Sequence, residues 1–400
     1  GWCLMGRKTK EELKEITKKY NVNRLWSWSK FNTYHNSPYE YYLKYIIKKP
    51  EDRQDCIYTT TGGMAHDIME SLYTGKIEYE NMDSDFEDAW ITANIAELKF
   101  DRNDSGKNKK ISDKYYKNLK HFFNHHIMIP HKMQIEQFIT ALVGKNVFQG
   151  YIDACYKDKD GNYNILDWKT SSIYKGEKAL NECGQLVVYA IGLHQMGVPF
   201  EKIKICWDFL KYVKVDCKQA NGKWTTREIE RCEIGSKLQS SAKMWLKKCG
   251  YEDKLIEYLD MLAQTNDINC LPQDVQANFV FHDCIVYVDL TQDLIDRWTA
   301  DIINTIDKIE NMENKYYESH DEMIFYDSPE QVAKQSYYFS TLCAYSPKLH
   351  KPYKLYLDKL ESKKNGGSFF DGLGTDVKRE KLSIENNTVE KEDLSWLEQL

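Results

Sequence analysis

The feature that most constrains this chain is a pair of apolar segments that each hold one acidic residue. Residues 147–156 contain Asp153 and residues 163–168 contain Asp167, and a polar, glycine-containing stretch at residues 158–162 lies between them. This composition predicts two antiparallel strands joined by a tight turn. Because an acid in an apolar strand is unfavourable unless it is paired or binds a cation, both carboxylates require a partner.

The surrounding patterns place this hairpin in a mixed α/β core. Residues 134–143 predict a preceding strand, residues 178–196 a helix, and residues 202–213 a further strand. Beyond residue 235 the pattern predicts a mostly helical region, most clearly over residues 290–316. The order helix, three strands, helix, strand predicts a sheet covered by helices.

Composition suggests four consecutive parts. Thr9 and Glu12 form a capping-box pattern at the start of an N-terminal helix. The C-terminal residues are polar and have a net negative charge, which indicates a flexible tail. We expect an N-terminal helix (1–24), a core (25–215) with a helical insertion at about 75–130, a mostly helical continuation of the same domain (216–360) and a flexible acidic tail (361–400).

The cysteines exclude two classes of small, cross-linked protein. The chain of 400 residues has 11 cysteines, an odd number, and no two are spaced C-x-x-C. This excludes a zinc ribbon and an extracellular disulfide framework and predicts reduced thiols. No stretch approaches the ~18 consecutive apolar residues that span a bilayer. We therefore expect a cytoplasmic protein with no membrane segment.

The acidic strand positions have both a candidate partner and a candidate cation. Asp167 and Lys169 are two apart on one strand, so they share a face, while Leu166 and Trp168 face the other side. A structural Asp153–Lys169 salt bridge is one interpretation. The other is a site for Mg²⁺ or Mn²⁺, because paired carboxylates suit these cations. A neighbouring lysine can then orient the attacking water or offset charge on phosphorus.

Two further pairs of polar residues flank the hairpin in the sequence. His66 and Glu70 follow a glycine pair that we expect to break the chain before a short helix at residues 64–73. Gln185 and Tyr189 have the same spacing of four residues, which places each pair on one helix face. Taken alone each pair is a weak signal, since a histidine on a short helix is usually structural.

Together these motifs resemble the RecB-like branch of the PD-(D/E)XK nuclease superfamily, over residues 25–210. That branch has G-x-x-x-H-x-x-x-E on a helix, G-x-x-D and D-x-K on neighbouring strands, and Q-x-x-x-Y on the next helix. The chain is similar in this respect to phage and bacterial recombination exonucleases and to CRISPR-associated RecB-like exonucleases. The matching positions are Gly62, His66, Glu70, Gly150, Asp153, Asp167, Lys169, Gln185 and Tyr189.

The resemblance implies a fold, a reaction and a role for each motif residue. The implied fold is a restriction-endonuclease-like αβββαβ core with helical insertions and a helical C-terminal region. The implied reaction is hydrolysis of DNA phosphodiesters with Mg²⁺ or Mn²⁺ as cofactor. By resemblance the metal ligands are His66, Asp153, Asp167 and the backbone carbonyl of Trp168, the catalytic residues are Asp153, Asp167 and Lys169, and the DNA-positioning residues are Gln185, Tyr189 and Glu70.

The chain departs from many of these relatives at the cysteines that hold a [4Fe–4S] cluster. Ser37 stands at the upstream ligand position, and Cys343 is the lone cysteine of the comparable downstream segment. Because such a cluster needs four converging thiolates, we expect no iron–sulfur cluster. Aromatic packing of residues 337–345 against residues 31–41 would then hold the C-terminal segment to the opening helix.

A basic stretch from Arg102 to Lys120 is the candidate DNA-binding surface. It has seven basic and two acidic residues, whereas the whole chain has a formal net charge of −6. A solvated helix face is the alternative interpretation. His121 and His125 have the spacing of a zinc pair, but no cysteine or acid follows at a fitting spacing, so we expect no zinc. The candidate DNA contacts are Lys107, Lys109, Lys110, Lys114 and Lys117.

The leading hypothesis is a DNA exonuclease of recombination, repair or phage DNA processing, in the cytoplasm of a bacterial or phage-infected cell. Two alternatives stay open: a nuclease-like DNA-binding or scaffold subunit without activity, and a structure-specific endonuclease. The tail ends in an acidic and apolar sequence at residues 393–400, which suggests docking to a recombinase, helicase or single-strand-binding partner.

Overall fold

The computed structural model of this protein describes residues 7–53, 56–95 and 105–364. The predicted acidic tail lies outside these residues from position 365 onward, and so does Arg102 of the basic stretch. None of the helices within them is long and apolar enough to cross a bilayer.

The strands are β1 (Met133–Val143), β2 (Asn146–Lys157), β3 (Tyr163–Lys169), β4 (Ile203–Lys218), β5 (Trp224–Glu230) and β6 (Phe279–Val288). The α-helices are α1 (Lys10–Tyr20), α2 (Trp28–Asn36), α3 (Pro38–Tyr41), α4 (Ile57–Tyr73), α5 (Met82–Ile95), α6 (Ser105–His125), α7 (Glu177–Glu182), α8 (Gly184–Gln195), α9 (Ile234–Lys248), α10 (Leu255–Thr265), α11 (Gln273–Gln276), α12 (Gln292–Ser319), α13 (Pro329–Lys334) and α14 (Lys351–Lys364).

The strands form one mixed sheet in which β4 has the most neighbours. β1, β2 and β3 pair antiparallel in chain order, and β3 pairs parallel with β4. A parallel pair needs a crossover connection, which α7 and α8 supply. β5 and β6 both pair antiparallel with β4. The order α4, β1 to β3, α8 and β4 confirms the predicted αβββαβ core.

The sheet separates two hydrophobic layers. Ile165 of β3 belongs to the cluster that contains α8 and α12, whereas Leu166 and Trp168 belong to the cluster that contains α4, α5 and α6. This alternation is the one predicted for a strand, and it leaves Asp167 and Lys169 on the side of Ile165. A third cluster packs α9, α10 and α11 against the second half of β4 and against β5.

The region beyond residue 235 is mostly helical, as predicted, but it also contains the strand β6, which the sequence did not indicate. This strand lies inside that region and pairs with β4 on the side opposite to β3. Its register on β4 shifts between Asp208 and Val213. The shift interrupts the alternation of buried and exposed residues along β6, so the period-two signal of a strand is weak there. β5 likewise falls in the part that was expected to be mostly helical.

The predicted chain break at the glycine pair is also wrong. Gly62 and Gly63 lie inside α4, which begins at Ile57. Each glycine costs about 1 kcal/mol relative to alanine in a helix. Burial of Ala65, Ile68 and other side chains of the same helix offsets this cost.

A buried polar group joins the opening helices to the C-terminal segment at the position of Ser37. The Ser37 hydroxyl donates to Asp327 Oδ2 at 2.8 Å and lies 3.0 Å from Nε2 of His350. It also accepts the Glu40 N–H at 3.0 Å, which caps α3. Burial raises the pKa of Asp327 to about 7. We call Ser37, Asp327 and His350 the Ser37 clasp.

Aromatic packing between the same two segments agrees with the prediction in part. Tyr345 lies in one hydrophobic cluster with Phe31 and Tyr41, as expected. Phe339 instead packs edge-on against His350, with ring centroids 5.2 Å apart. The hydrogen bonds and the His350 ring of the clasp therefore join two segments that also share a hydrophobic cluster.

We predict that Ser37→Ala lowers the free energy of unfolding by about 1 to 3 kcal/mol, because it removes a helix cap and leaves buried polar groups without their partner. Urea denaturation measures this difference. Ser29→Ala is the matched control, since Ser29 is exposed and, among the residues that the structure describes, its hydroxyl bonds only to the Ser27 hydroxyl, at 3.2 Å. Equal stability of the two variants would contradict the role of the clasp.

Candidate metal centre

The two acidic strand positions lie opposite each other at a gap in the sheet. Pairing between β2 and β3 ends at Ala154 and Leu166, so Asp153 and Asp167 occupy the first unpaired position. Pairing between β1 and β2 skips Asp153 as well. The sheet therefore opens where the two carboxylates stand, and this opening leaves room for a ligand between the strands.

α4 brings His66 to the same gap. His66 Nδ1 lies 3.4 Å from Asp153 Oδ2, and His66 Nε2 lies 2.8 Å from the carbonyl oxygen of Trp168. One ligand atom each from His66, Asp153 and Asp167 lie within 4.8 Å of one another. Because a carbonyl only accepts, Nε2 is the protonated nitrogen and Nδ1 presents its lone pair to the carboxylates. The structure thus brings together the residues that the resemblance assigns to the metal.

The two carboxylates are in electrostatic conflict. Burial, the charge of Asp167 and a hydrogen bond with Asp167 raise the pKa of Asp153 well above its ordinary value, and Lys169 opposes this shift. The Asp153 side chain is 19% exposed and that of Asp167 is 10% exposed, so water screens them only weakly. The raised pKa favours a proton on Asp153 when no cation is bound, and a divalent cation would replace it. The donor set, two carboxylates and one imidazole, fits Mg²⁺ or Mn²⁺.

Lys169 pairs with Asp167 rather than with Asp153. Lys169 Nζ lies 2.7 Å from Asp167 Oδ2. Burial lowers the pKa of Lys169, but the Asp167 carboxylate raises it more, so the ammonium stays protonated above its ordinary range. The Asp153–Lys169 salt bridge, the alternative interpretation of the sequence, is therefore replaced by a pair within one strand. The pair places a positive charge at the edge of the centre.

Gln185 and Tyr189 project together from α8 towards this centre. Gln185 Nε2 donates to the Tyr189 hydroxyl at 2.9 Å. Burial, with a smaller contribution from the charges of Asp153 and Asp167, raises the pKa of Tyr189 to about 12. A Cβ atom at Gly150 would lie 2.8 Å from the Tyr189 hydroxyl oxygen, so any side chain there would displace the Tyr189 ring where it crosses β2. The G-x-x-D motif, which begins at Gly150, and the Q-x-x-x-Y motif, which ends at Tyr189, thus depend on the same contact.

Glu136 is an acidic residue near the centre that the sequence analysis missed. It lies in β1 between Ile135 and Gln137, which pair with Ala154 and Ile152 on either side of Asp153. Its φ is +50°, a left-handed conformation that is costly for glutamate and is often found near functional sites. Its charge contributes to the raised pKa of Asp153. The available signal was an acid within an apolar strand, the same signal that identified the other two.

The remaining candidate residues lie farther from the carboxylates or have other partners. Glu70, one turn after His66 on α4, pairs with Lys76 at 2.9 Å. Lys114 of the basic stretch pairs with Glu230 at 2.8 Å, so its charge is offset within the protein. Lys109, Lys110 and Lys117 are exposed along α6, whereas Lys107 is partly buried. His125 Nδ1 is 2.8 Å from the carbonyl oxygen of His121, and the two rings stack.

Comparison with known proteins places this site in a class. The sequence model of the PD-(D/E)XK nuclease superfamily matches residues 25–321, which is about three quarters of the chain. The chain belongs to the PD-(D/E)XK nuclease superfamily. No curated protein matches the chain at a significant level. Nucleases of this superfamily generally use divalent metal ions, in agreement with the donor set at the sheet gap.

We predict that Asp153→Asn stabilises the metal-free protein at neutral pH. The raised pKa means that ionisation of Asp153 favours the unfolded chain, a cost that begins as the pH rises through the ordinary aspartate value of about 4. The thermal midpoint in EDTA should therefore be higher in the variant at pH ~7, and this difference should fade towards pH ~4.

Asp158→Asn is the matched control on the same hairpin. Although burial raises the pKa of Asp158, hydrogen bonds from Asn162, Asn164 and Lys204 lower it below its ordinary value, so this substitution should destabilise the protein at neutral pH. Added Mn²⁺ should raise the midpoint of the parent protein and leave that of Asp153→Asn unchanged. A destabilised Asp153→Asn variant in EDTA would contradict the repulsion described above.

Proposed function

We propose that this protein is a RecB-like deoxyribonuclease that hydrolyses phosphodiester bonds with Mg²⁺ or Mn²⁺. The observation that carries the proposal is the arrangement of Asp153, Asp167, His66 and Lys169 at the gap between β2 and β3. The family supports the reaction class, and the donor set supports the type of cofactor. The RecB-like assignment rests on the helix motif of α4 and the Gln185–Tyr189 motif of α8.

The residues divide the work between holding the cation and handling the phosphate. His66, Asp153, Asp167 and the Trp168 carbonyl would hold the ion, which supplies a water of lowered pKa and neutralises charge on the phosphate. Lys169 stays protonated beside Asp167, so its role is to orient the water and offset negative charge as it builds on phosphorus. Gln185 and Tyr189 would orient the nucleic acid strand next to the carboxylates.

Exonucleolytic cleavage in recombination, repair or phage DNA processing is the proposed role, on the basis of the resemblance to recombination exonucleases. The proposed location is the cytoplasm of a bacterial or phage-infected cell. A recombinase, helicase or single-strand-binding protein would dock on the C-terminal tail. A structure-specific endonuclease is the second candidate. The inactive scaffold is disfavoured, because both carboxylates, the lysine and the histidine are all present and in contact range.

We predict that cleavage requires a divalent cation and that Asp167→Asn or Lys169→Ala reduces its rate at least about a thousandfold. Each removes a group that acts on the reacting phosphate, and such groups typically contribute this much. Single-turnover cleavage of end-labelled linear DNA measures the rate. Lys145→Ala is the control, since Lys145 pairs with Asp307 and Glu310 on the surface. Parent-like rates in either site variant would contradict the assignment.

The type of cleavage is decided by comparing linear and covalently closed circular DNA of the same sequence. An exonuclease needs an end, so the proposed role predicts mononucleotides or short products from the linear DNA and intact circles. Cleavage of the circles at a comparable rate would support the endonuclease instead.

We predict that the basic face of α6 contributes to DNA affinity through phosphate contacts. Replacing Lys109, Lys110 and Lys117 by alanine should weaken binding to all sequences alike. It should also flatten the dependence of log K on log salt by roughly 0.7 to 0.9 for each lost contact. Lys114→Ala is the control, because Lys114 is half-buried and pairs with both Glu230 and Glu233. Lys109, by contrast, is exposed although it pairs with Asp113. An unchanged salt dependence in the triple variant would leave these lysines as a solvated face.

A further inference from the structure

Trp168, the residue between Asp167 and Lys169, is held by two rings of α4. Its indole lies edge-on to the His66 ring, with centroids 5.8 Å apart, and nearly parallel to the Tyr73 ring, with centroids 6.3 Å apart and planes at 15°. Only 2% of Trp168 is exposed. Its carbonyl is the one that contacts His66. The position of α4 on Trp168 therefore fixes both the imidazole and the carbonyl at the metal centre.

The end of α4 is in turn held by the segment that follows α6. The Tyr73 hydroxyl lies 2.8 Å from His126 Nε2 and accepts the Ile129 N–H at 3.1 Å. Burial raises the pKa of Tyr73 above its ordinary range, so the phenol keeps its proton and can donate it to Nε2. Tyr79 donates to the carbonyl oxygen of His126 at 2.7 Å. These bonds join the end of α4 to residues 126–129, which are among the last residues of the predicted insertion.

His126 also contacts β6, through Asp283. Its Nδ1 lies 2.6 Å from Asp283 Oδ2, which also accepts the Ile127 N–H at 3.0 Å. Burial raises the pKa of Asp283, but the hydrogen bond from His126 and the charge of Arg231 lower it more, so the carboxyl is ionised. A carboxylate accepts only, so Nδ1 of His126 carries the proton and Nε2 accepts from Tyr73. Each hydrogen bond from Tyr73 through His126 to Asp283 thus has a donor and an acceptor.

Arg231, in the turn that follows β5, is the last member of this series of hydrogen-bonded residues. Its Nη2 donates to Asp283 Oδ1 at 2.7 Å, and its Nε donates to the carbonyl oxygen of Leu210 at 3.0 Å. The guanidinium lies over the Phe122 ring at 5.0 Å, and the residue is only 1% exposed. A buried arginine with this many partners is a rigid anchor on the sheet.

The same cluster is not a second metal centre. His126, Asp208 and Asp283 have ligand atoms within 4.8 Å of one another. However, both nitrogens of His126 are already engaged, and Arg231 supplies a positive charge to Asp283. Burial and the charge of Asp283 raise the pKa of Asp208 well above its ordinary value, although the charges of Arg231 and Lys214 lower it. His126 and Asp283 therefore already have their hydrogen-bond and charge partners, whereas Asp208 Oδ1 is buried with no hydrogen-bond partner among the described residues.

We propose that Tyr73, His126, Asp283 and Arg231 form a positioning relay that holds α4, and with it His66 and the Trp168 carbonyl, at the metal centre. Tyr73 and His126 are positioning residues, since Tyr73 acts through the Trp168 ring and His126 acts through Tyr73. Through the relay, the insertion (His126) and β6 (Asp283) help to hold α4 at the metal centre. The effect of the relay on metal binding rests on the proposed function, whereas its effect on α4 does not.

Tyr73→Phe tests the relay, because it keeps the ring on Trp168 and removes only the hydroxyl. Tyr116→Phe is the matched control: the Tyr116 hydroxyl donates to Glu87 at 2.5 Å within the same insertion and has no bond to the relay. The dissociation constant for Mn²⁺ is measured by calorimetric titration of the metal-free proteins. Hydrogen exchange of the α4 amides is measured in EDTA.

We expect Tyr73→Phe to weaken Mn²⁺ binding about tenfold, as loss of a group that orients a ligand typically does. We also expect the α4 amides to exchange about fivefold faster. Tyr116→Phe should leave both within about twofold of the parent. If both variants bind Mn²⁺ equally well, the relay does not position the site. If the parent protein binds no Mn²⁺, the proposed function fails, and unchanged exchange of α4 in Tyr73→Phe would then overturn the relay independently.

Discussion

Two carboxylates that repel each other in a poorly solvated gap between strands are the constraint on which the rest of this site depends. Asp153 and Asp167 stand where backbone pairing of β2 and β3 stops. Ionisation of Asp153 is unfavourable there, since burial and the charge of Asp167 both raise its pKa. Lys169 offsets the charge of Asp167, whereas His66 places the lone pair of Nδ1 beside Asp153, where it adds a third donor for a cation. The protein thus holds an unfavourable arrangement that a divalent cation relieves.

Keeping these groups apart from water requires support from both sheet faces. On one face Tyr189 crosses Gly150 with no room for a side chain between them. On the other face α4 clamps Trp168 between His66 and Tyr73. On the β1 side of the gap, Glu136 has a strained, left-handed backbone conformation. The site is therefore built by packing at a discontinuity of the sheet, which is why it needs a large domain around it.

Much of the core and most of the motif residues could be predicted from the sequence, because their signals are local. The hairpin, the same-face pairing of Asp167 and Lys169 and the helix–strand order follow from spacing within a few residues. The identity of the ion pair did not follow. Lys169 has two acids within reach, and only the three-dimensional arrangement shows that it pairs with Asp167.

The features that the sequence analysis missed depend on contacts between distant residues. β6 has a register shift on β4 that hides its period-two pattern. The bond between His126 and Asp283 joins residues 157 positions apart, and that between Ser37 and His350 joins residues 313 positions apart. No spacing rule identifies such partners, because each residue is unremarkable in its own segment. The insertion and the C-terminal part acquire their roles only through these contacts.

The most direct test of the account is the number of protons released when Mn²⁺ binds. If Asp153 and Asp167 share a proton in the metal-free protein, the ion must displace it. Calorimetric titration at neutral pH in buffers of different ionisation enthalpy measures this number. We expect net release of protons as the ion binds, because the raised pKa of Asp153 favours a proton in the metal-free protein. Binding without proton release, or binding at a stoichiometry unaffected by Asp153→Asn, would contradict it.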